Sequence, residues 1–270
     1  MKRRILEWAS QPMCITEAAF RTLAAKVATM PDPLLAGSAA PAAGLLEDLF
    51  GPPAVREENA GAVRIIHVAG VIDRFVPELW RQVGYVDVEL VGEKLAAAMA
   101  DEQVTSIVLA INSPGGTIFG TAELAADIAE AGKSKPIVVH GANLVASGGY
   151  YLAAGASAIL ADPTAMIGSV GVYVPLWDFT GWYEAFGVKV DLVKTGALKG
   201  AGHEGTPWTP EQRAHEQEIV DDYFAAFKAH VLAHREIDAA HMTVGVYVAA
   251  RALENGFVDQ LGSLDDSVRQ

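Results

Sequence analysis

Two glycine-flanked turns and one lysine carry the residues of this sequence that could do covalent chemistry. Ser147 lies in Ala146-Ser147-Gly148-Gly149, a few residues past the apolar run PIVVHG, and Pro114-Gly115-Gly116 comes directly after the apolar run SIVLAINS. Consecutive glycines after a strand leave backbone N–H groups facing outward with no side chain in the way. At a helix start such groups can hold a phosphate or an oxyanion. The Pro-Gly-Gly turn lacks the lysine of a phosphate-binding loop, which argues against a nucleotide. It is equally readable as a plain strand-to-helix turn. Ser147 in turn stands where a helix N-cap is expected, ahead of GGYYLAAGA, so cap and nucleophile are both open on these residues. The residue two before it is Val145, so this is not the G-x-S-x-G elbow of α/β-hydrolases.

A serine nucleophile needs a base. Of the seven histidines, His67, His140, His203, His215, His230, His234 and His241, none falls between Ser147 and Gly202. His215, His230 and His234 sit in a long polar stretch and read as solvated; His67 alternates with apolar residues and reads as a satisfied core histidine. The lysines in the stretch after Ser147 are Lys189, Lys194 and Lys199, and Lys199 lies in TGALKGAG between Leu198 and Gly200, at the end of an expected strand. A lysine base must be neutral, and an unperturbed lysine is neutral only about once in 2,500 at pH 7. Lowering its pKa by about three costs the charged form about 4 kcal/mol, which burial can impose. A surface lysine in a loop is the other reading.

Positioning these groups requires a sheet. VRIIHVAGVI, SIVLAINS, PIVVHG and SAILAD read as continuous apolar strands. Helical patterns lie between them, VELVGEKLAAAMAD with Leu90, Leu95 and Met99 on its apolar face, TAELAADIAEAG, and the short SGGYYLAAGA. Apolar strands alternating with helices predict an α/β fold with a mainly parallel sheet covered on both faces, and ligands sit at the carboxyl ends of such strands. VGVYVPL and VKVDLVKTG read as further strands around a helix near 177–186. A long helix is expected from Pro210 to Arg235, opened by Thr209-Pro210-Glu211, with a helix at 246–255 and a short terminal one. Residues 1–30 carry a helical pattern through Phe20, Leu23, Ala24 and Val27; residues 31–62, with five prolines, read as a linker holding one short helix at 45–50; 63–270 form the main domain.

The chain has 270 residues, half of them hydrophobic, enough for a sizeable core. A net charge of -13 argues against nucleic acid or an anionic membrane as partner. The single cysteine, Cys14, permits neither an internal disulfide nor a cysteine-built metal site. The basic tip MKRR leads into no long apolar run, so neither a signal peptide nor an anchor is expected, and a soluble, cytoplasmic chain is.

The runs INSPGGTIFGTAELA, NLVASGGYYLAAGASAILADPTAMIGSVGV, VKTGALKGAGHEGTPWTPEQRAHEQ and VYVAARALENGFVDQLGSL together resemble the signal peptide peptidase A family of serine peptidases, over about residues 63–264. The resemblance implies a ClpP/crotonase-like fold of repeated ββα units and a Ser/Lys dyad without a cofactor. By residue it implies Ser147 as nucleophile, Lys199 as general base, Ser169 in IGSVG as the serine that orients the lysine, and Gly116 and Gly148 as oxyanion-hole donors, with Gly115 the fallback if the register is off by one. It also implies a ring or dome of like subunits acting on extended or unfolded polypeptide. The N-terminal WASQPMCITEAAFRTLAAKVA resembles the phage and prophage branch, whose members mature capsids, so scaffold or capsid proteins are the expected partners. A housekeeping protease is the nearer alternative. A crotonase-type acyl-CoA enzyme and a non-catalytic assembly protein are alternatives of another class.

Overall fold

The computed structural model describes residues 13–15, 52–82, 84–242 and 245–270. Its main sheet is built on β2 (Val55–Ala60), β3 (Val63–Ala69), β6 (Ser106–Ser113), β8 (Ile137–Ala146), β10 (Met166–Gly168) and β11 (Val246–Val248), in the order β11-β10-β8-β6-β3-β2. β9 (Ala158–Ala161) and β12 (Gln260–Leu261) pair off the side of β8. Within this sheet the pairs β3–β6, β6–β8, β8–β9 and β8–β10 are parallel, and the outer β2–β3 and β10–β11 pairs are antiparallel. A smaller sheet runs β1 (Met13–Ile15), β7 (Gly115–Thr117), β4 (Val71–Asp73), β5 (Tyr85–Asp87).

The α/β class with a mainly parallel sheet is therefore as the sequence predicts, and so are most of its elements. The helices are α1 (Glu78–Gln82), α2 (Val88–Ala100), α3 (Thr121–Ala131), α4 (Gly148–Ala154), α5 (Thr180–Ala185), α6 (Pro210–His234), α7 (Ala249–Glu254) and α8 (Leu264–Arg269). Apolar spacing selects the buried face of α2, where Val88, Val91, Leu95 and Ala98 point inward, while the Asp87 side chain caps the helix by accepting from the Glu89 N–H. α6 opens with a complete capping box between Thr209 and Gln212, and Pro210 occupies the first turn. The main core lies on the α2–α3–α4 face of the sheet, around Ile66, Leu109, Ile128, Val139 and Tyr150. A smaller cluster of Ile65, Val108, Val138 and Leu160 lies on the other face, with Leu264 and Val268 of α8 packed against it.

Four expectations are corrected. Residues 55–60, assigned to the linker, form β2; VREENA has too few apolar residues to read as a strand, and backbone pairing to β3 holds it, with Arg64 bridging to Glu57 at 3.2 Å. Met13–Ile15 is a strand rather than part of a helix, held by antiparallel pairing to β7; the helical pattern from Phe20 to Val27 and the short helix at 45–50 lie outside the described residues. VKVDLVKTG forms no strand, and VGVYVPL no more than an isolated bridge at Tyr173. Val188 and Val193 are exposed instead of paired. Finally, the C-terminal helix at 246–255 begins only at Ala249, because 246–248 pairs with β10.

Candidate active site

Where β6 and β8 end, the chain is re-aimed. The two strands pair in register through Ile111 and Gly141, then resume at Ser113 opposite Val145, so β8 carries extra residues at 142–144. Such a bulge bends the strand and redirects the residues beyond it. The first residue past the end of β8 is Ser147, with φ 56° and ψ −121°. A non-glycine residue there is strained by about 1–3 kcal/mol and persists only where its surroundings fix it. Its N–H donates to the Gly168 carbonyl at 2.7 Å and its carbonyl accepts from the Tyr151 N–H at 2.9 Å. The side chain does not cap α4, although the residue stands at the N-cap position, and Ser147 is only 2% exposed. The cap reading is thereby removed: the hydroxyl is held at the carboxyl end of a central strand without serving the helix.

α4 is buried along its whole length and packs on β6, β7 and β8. A Cβ on Gly149 would lie 3.1 Å from the Cβ of Ser113, so the glycine lets the start of α4 approach the end of β6. Tyr150 donates from its hydroxyl to the Phe257 carbonyl at 2.9 Å, and Tyr151 stacks on Phe227 of α6 at 4.4 Å between ring centroids. At the far end of α4, the Arg235 guanidinium donates to the carbonyls of Ala154 (2.9 Å) and Ala156 (2.6 Å) and pairs with Asp259 at 2.6 Å. Together these contacts fix the helix that Ser147 begins.

The Pro-Gly-Gly turn lies beside it as β7. Ser113 Oγ donates to the Gly70 carbonyl at 2.7 Å and accepts from the Gly115 N–H at 3.1 Å, and Thr117 Oγ1 donates to Asp73 at 2.9 Å. The Gly115 N–H is thus engaged within the turn. Gly116 packs so tightly on β4 that a Cβ there would overlap the Ile72 carbonyl, which explains a glycine with no positive φ. Ser169 is half-buried, directly after Gly168; it too has a positive φ, 55°, and its N–H donates to the Gly245 carbonyl at 2.7 Å.

Ser147, Gly148 and Ser169 therefore follow the paired ends of β8 and β10, with Gly115 and Gly116 on the strand against which α4 packs. Lys199 is not gathered with them by any contact among the described residues. It is exposed, in the irregular stretch 187–209, and the strand expected to deliver it is absent. Ala197, two residues before it, is held: its carbonyl accepts from Lys194 Nζ at 2.9 Å and from Gln212 Nε2 at 3.2 Å. Among the histidines, His67 is satisfied by Glu58 at 2.7 Å, and His140 is buried against Ser267. His230 is not solvated as its polar helix suggests; its ring packs 4.9 Å from that of Tyr151, and burial chiefly pushes its pKa down to about 4. Ser113 and Arg235 are positioning residues that the sequence does not single out, since nothing local to a serine in a strand or an arginine at a helix end marks a partner far along the chain.

Residues 129–270 match the family described as Peptidase family S49. A candidate signal peptide peptidase SppA of Enterococcus faecium is 33% identical over 180 residues, covering 65% of this chain and 52% of that protein. Capsid assembly protease C of Escherichia phage lambda is 25% identical over 241 residues, covering 88% of this chain and 55% of that protein. The chain thus spans about half the length of these curated relatives. Among solved structures, a candidate enoyl CoA hydratase/isomerase (crotonase) from Legionella pneumophila superposes with a TM-score of 0.44 at 17% identity, over 80% of this chain and 73% of its own. Among the described residues no helix is long and apolar enough to cross a membrane.

Proposed function

The chain belongs to Peptidase family S49, and we propose that it is a serine endopeptidase in which Ser147 is the nucleophile and Lys199 the general base. The observation that carries this reading is the strained, buried Ser147 at the end of β8, its hydroxyl not used as a cap. Neutral Lys199 takes the proton of Ser147 Oγ as that oxygen attacks the scissile carbonyl. The N–H groups of Gly116 and Gly148 hold the oxyanion, with Gly115 the fallback one residue earlier. The protonated lysine then gives its proton to the leaving amine, and a water repeats the cycle to release the acyl group and restore the serine. Ser169, half-buried and one residue from the carbonyl that anchors Ser147, is suited to orient the lysine.

Lys199 must fold over Ser147 for this to work, and the chemistry of its surroundings suggests how. Trp177, Trp182, Phe186, Val188, Val193 and Leu198 are all exposed along the same stretch. Apolar groups concentrated on one segment mark an interaction surface, and the partner we assign to it is another copy of the chain. Covering it would take the amine out of water, the condition that favours a neutral lysine. A ring or dome of like subunits is the assembly we propose, acting on extended polypeptide that adds to β7 as a strand.

Within the family we place the chain with the capsid-maturing branch. Its alignment with the phage lambda protease covers more of the chain than residues 52–270 can supply and so reaches into the N-terminal segment, whereas the match to the E. faecium protein covers 65%. Scaffold or capsid proteins are then the natural substrates.

The test is cleavage of unfolded, fluorescein-labelled casein by the full chain. Ser147→Ala and Lys199→Ala should each lower kcat at least about 10³-fold, as loss of a nucleophile or its base does elsewhere, while the melting curve stays in place. Activity surviving in either folded variant overturns the dyad. For the capsid branch, incubation with a candidate scaffold protein and mass mapping of fragments decides.

A further inference from the structure

β7 is the strand on which the proposed oxyanion donor Gly116 lies, and a strand has two edges. β4 fills one, running parallel with Ile72 opposite Gly116. That edge is permanent, because Gly116 lies in backbone contact with Ile72 at a distance only glycine tolerates. β1 fills the other, antiparallel, with Met13 opposite Thr117, Cys14 opposite Gly116 and Ile15 opposite Gly115. No edge of β7 is left on which an extended peptide could pair.

We propose that Met13–Ile15 holds the substrate's place: it is a substrate-like strand supplied by the chain itself, which incoming polypeptide must displace. The inference rests on the reading of β7 as the strand to which substrate adds. The occupant has the form such a substrate would have, an extended apolar tripeptide paired backbone to backbone across the glycines of the Pro-Gly-Gly turn. Exchange is feasible on energetic grounds. A three-residue strand makes few ladder bonds, each worth about 0.5–1.5 kcal/mol net, and a substrate strand replaces them one for one. Residues 16–54 join β1 to β2, and the effective concentration of a tethered strand falls with tether length from the millimolar level of short linkers, which eases displacement. The resting chain would then admit polypeptide only when β1 is off. An edge free one-tenth of the time weakens apparent binding about tenfold. Segments rich in apolar residues, like the MCI they replace, should compete best.

The full chain carrying Cys14→Pro tests this, since proline removes the central N–H of β1 and resists a paired strand. The variant should cleave labelled casein with a KM several-fold lower and kcat unchanged; an unchanged or higher KM would mean that β1 completes the site instead of blocking it. Hydrogen exchange gives an independent arm that needs no turnover. In Ser147→Ala with the native β1, saturating casein should speed exchange at residues 13–15 while residues 115–117 stay protected. No change at 13–15 overturns the proposal. Failure of the peptidase reading shows separately, as absence of cleavage by both the wild-type chain and Cys14→Pro, and the exchange arm then still decides whether polypeptide competes for β7.

Discussion

The N–H of Ser147 donates to the carbonyl of Gly168 at 2.7 Å, the residue directly before Ser169, and Ser147 at the end of β8 and Ser169 just beyond β10 are both non-glycine residues of positive φ. Two strained serines one residue from contact, at the ends of neighbouring parallel strands, are costly to keep. Strain of this kind clusters where function demands it. Here the surrounding lattice of Gly168, Tyr151 and Gly245 backbone bonds imposes it on both.

Ser147→Gly should therefore stabilise the chain while destroying activity. Glycine adopts φ 56°, ψ −121° without the clash, recovering about 1–3 kcal/mol, and gives back about 0.5–1 kcal/mol through its freer unfolded state. A net gain of about 1 kcal/mol corresponds to a Tm about 2–4 °C higher, read by calorimetry on the full chain. A lower Tm would show that the hydroxyl, and not the backbone, is what the site relies on for stability.

A different cost is expected at the other end of α4. Arg235 is buried and serves two carbonyls and Asp259, whose carboxylate also accepts from the Ile159 N–H at 2.7 Å. Arg235→Met fills similar space but takes the guanidinium donor from the Ala154 and Ala156 carbonyls, while Asp259 keeps the Ile159 N–H and its access to water. Leaving buried carbonyl acceptors without a donor typically costs about 1–3 kcal/mol each, and the half-exposed Asp259 adds little because water can take the place of the guanidinium. The midpoint of urea unfolding should fall sharply with the slope unchanged. Arg235→Lys should recover little, because an ammonium cannot reproduce the fork that reaches Ala154, Ala156 and Asp259 together. Recovery by lysine to near wild type would show that charge alone holds the end of α4.

The features legible in the sequence are those with a short local signature. Ser147 and the Pro-Gly-Gly turn show because paired glycines after apolar strands are unusual, and α6 shows because Thr209-Pro210-Glu211 is a local start signal. Structure that depends on distant pairing stays hidden. VREENA is polar and becomes β2 only because β3 offers an edge. MCI is three residues and becomes β1 only against β7. VKVDLVKTG has the alternation of a strand but no strand of the described chain lies beside it, so Val188 and Val193 face solvent. Lys199, expected at the end of that strand, is for the same reason on a loop. His230 misleads in the opposite sense: its helix is polar, yet the Tyr151 ring brought by α4 covers it.

That covered histidine makes stability sensitive to acid. Burial is the largest influence on His230, the His234 ring 4.6 Å away adds to it, and a hydrogen bond with the Tyr151 backbone opposes it; the result is a pKa of about 4 against the ordinary 6.5. Since the folded value is the lower one, the unfolded chain binds more protons between pH 4 and 6.5, and stability rises with pH across that window and levels off above it. His140, lowered chiefly by burial and partly restored by Asp162 and Asp266, adds in the same direction. Urea unfolding at pH 4.5, 5.5, 6.5 and 7.5 should show a midpoint climbing to pH 6.5 and little change in the contribution of these groups beyond it. His230→Phe keeps an aromatic ring against Tyr151 and removes the titration, so its midpoint should depend less on pH between 4.5 and 6.5 than that of the wild-type chain. Equal slopes for the two proteins would mean that His230 takes up its proton in the folded chain as readily as in the unfolded one, with the α4–α6 contact open to water.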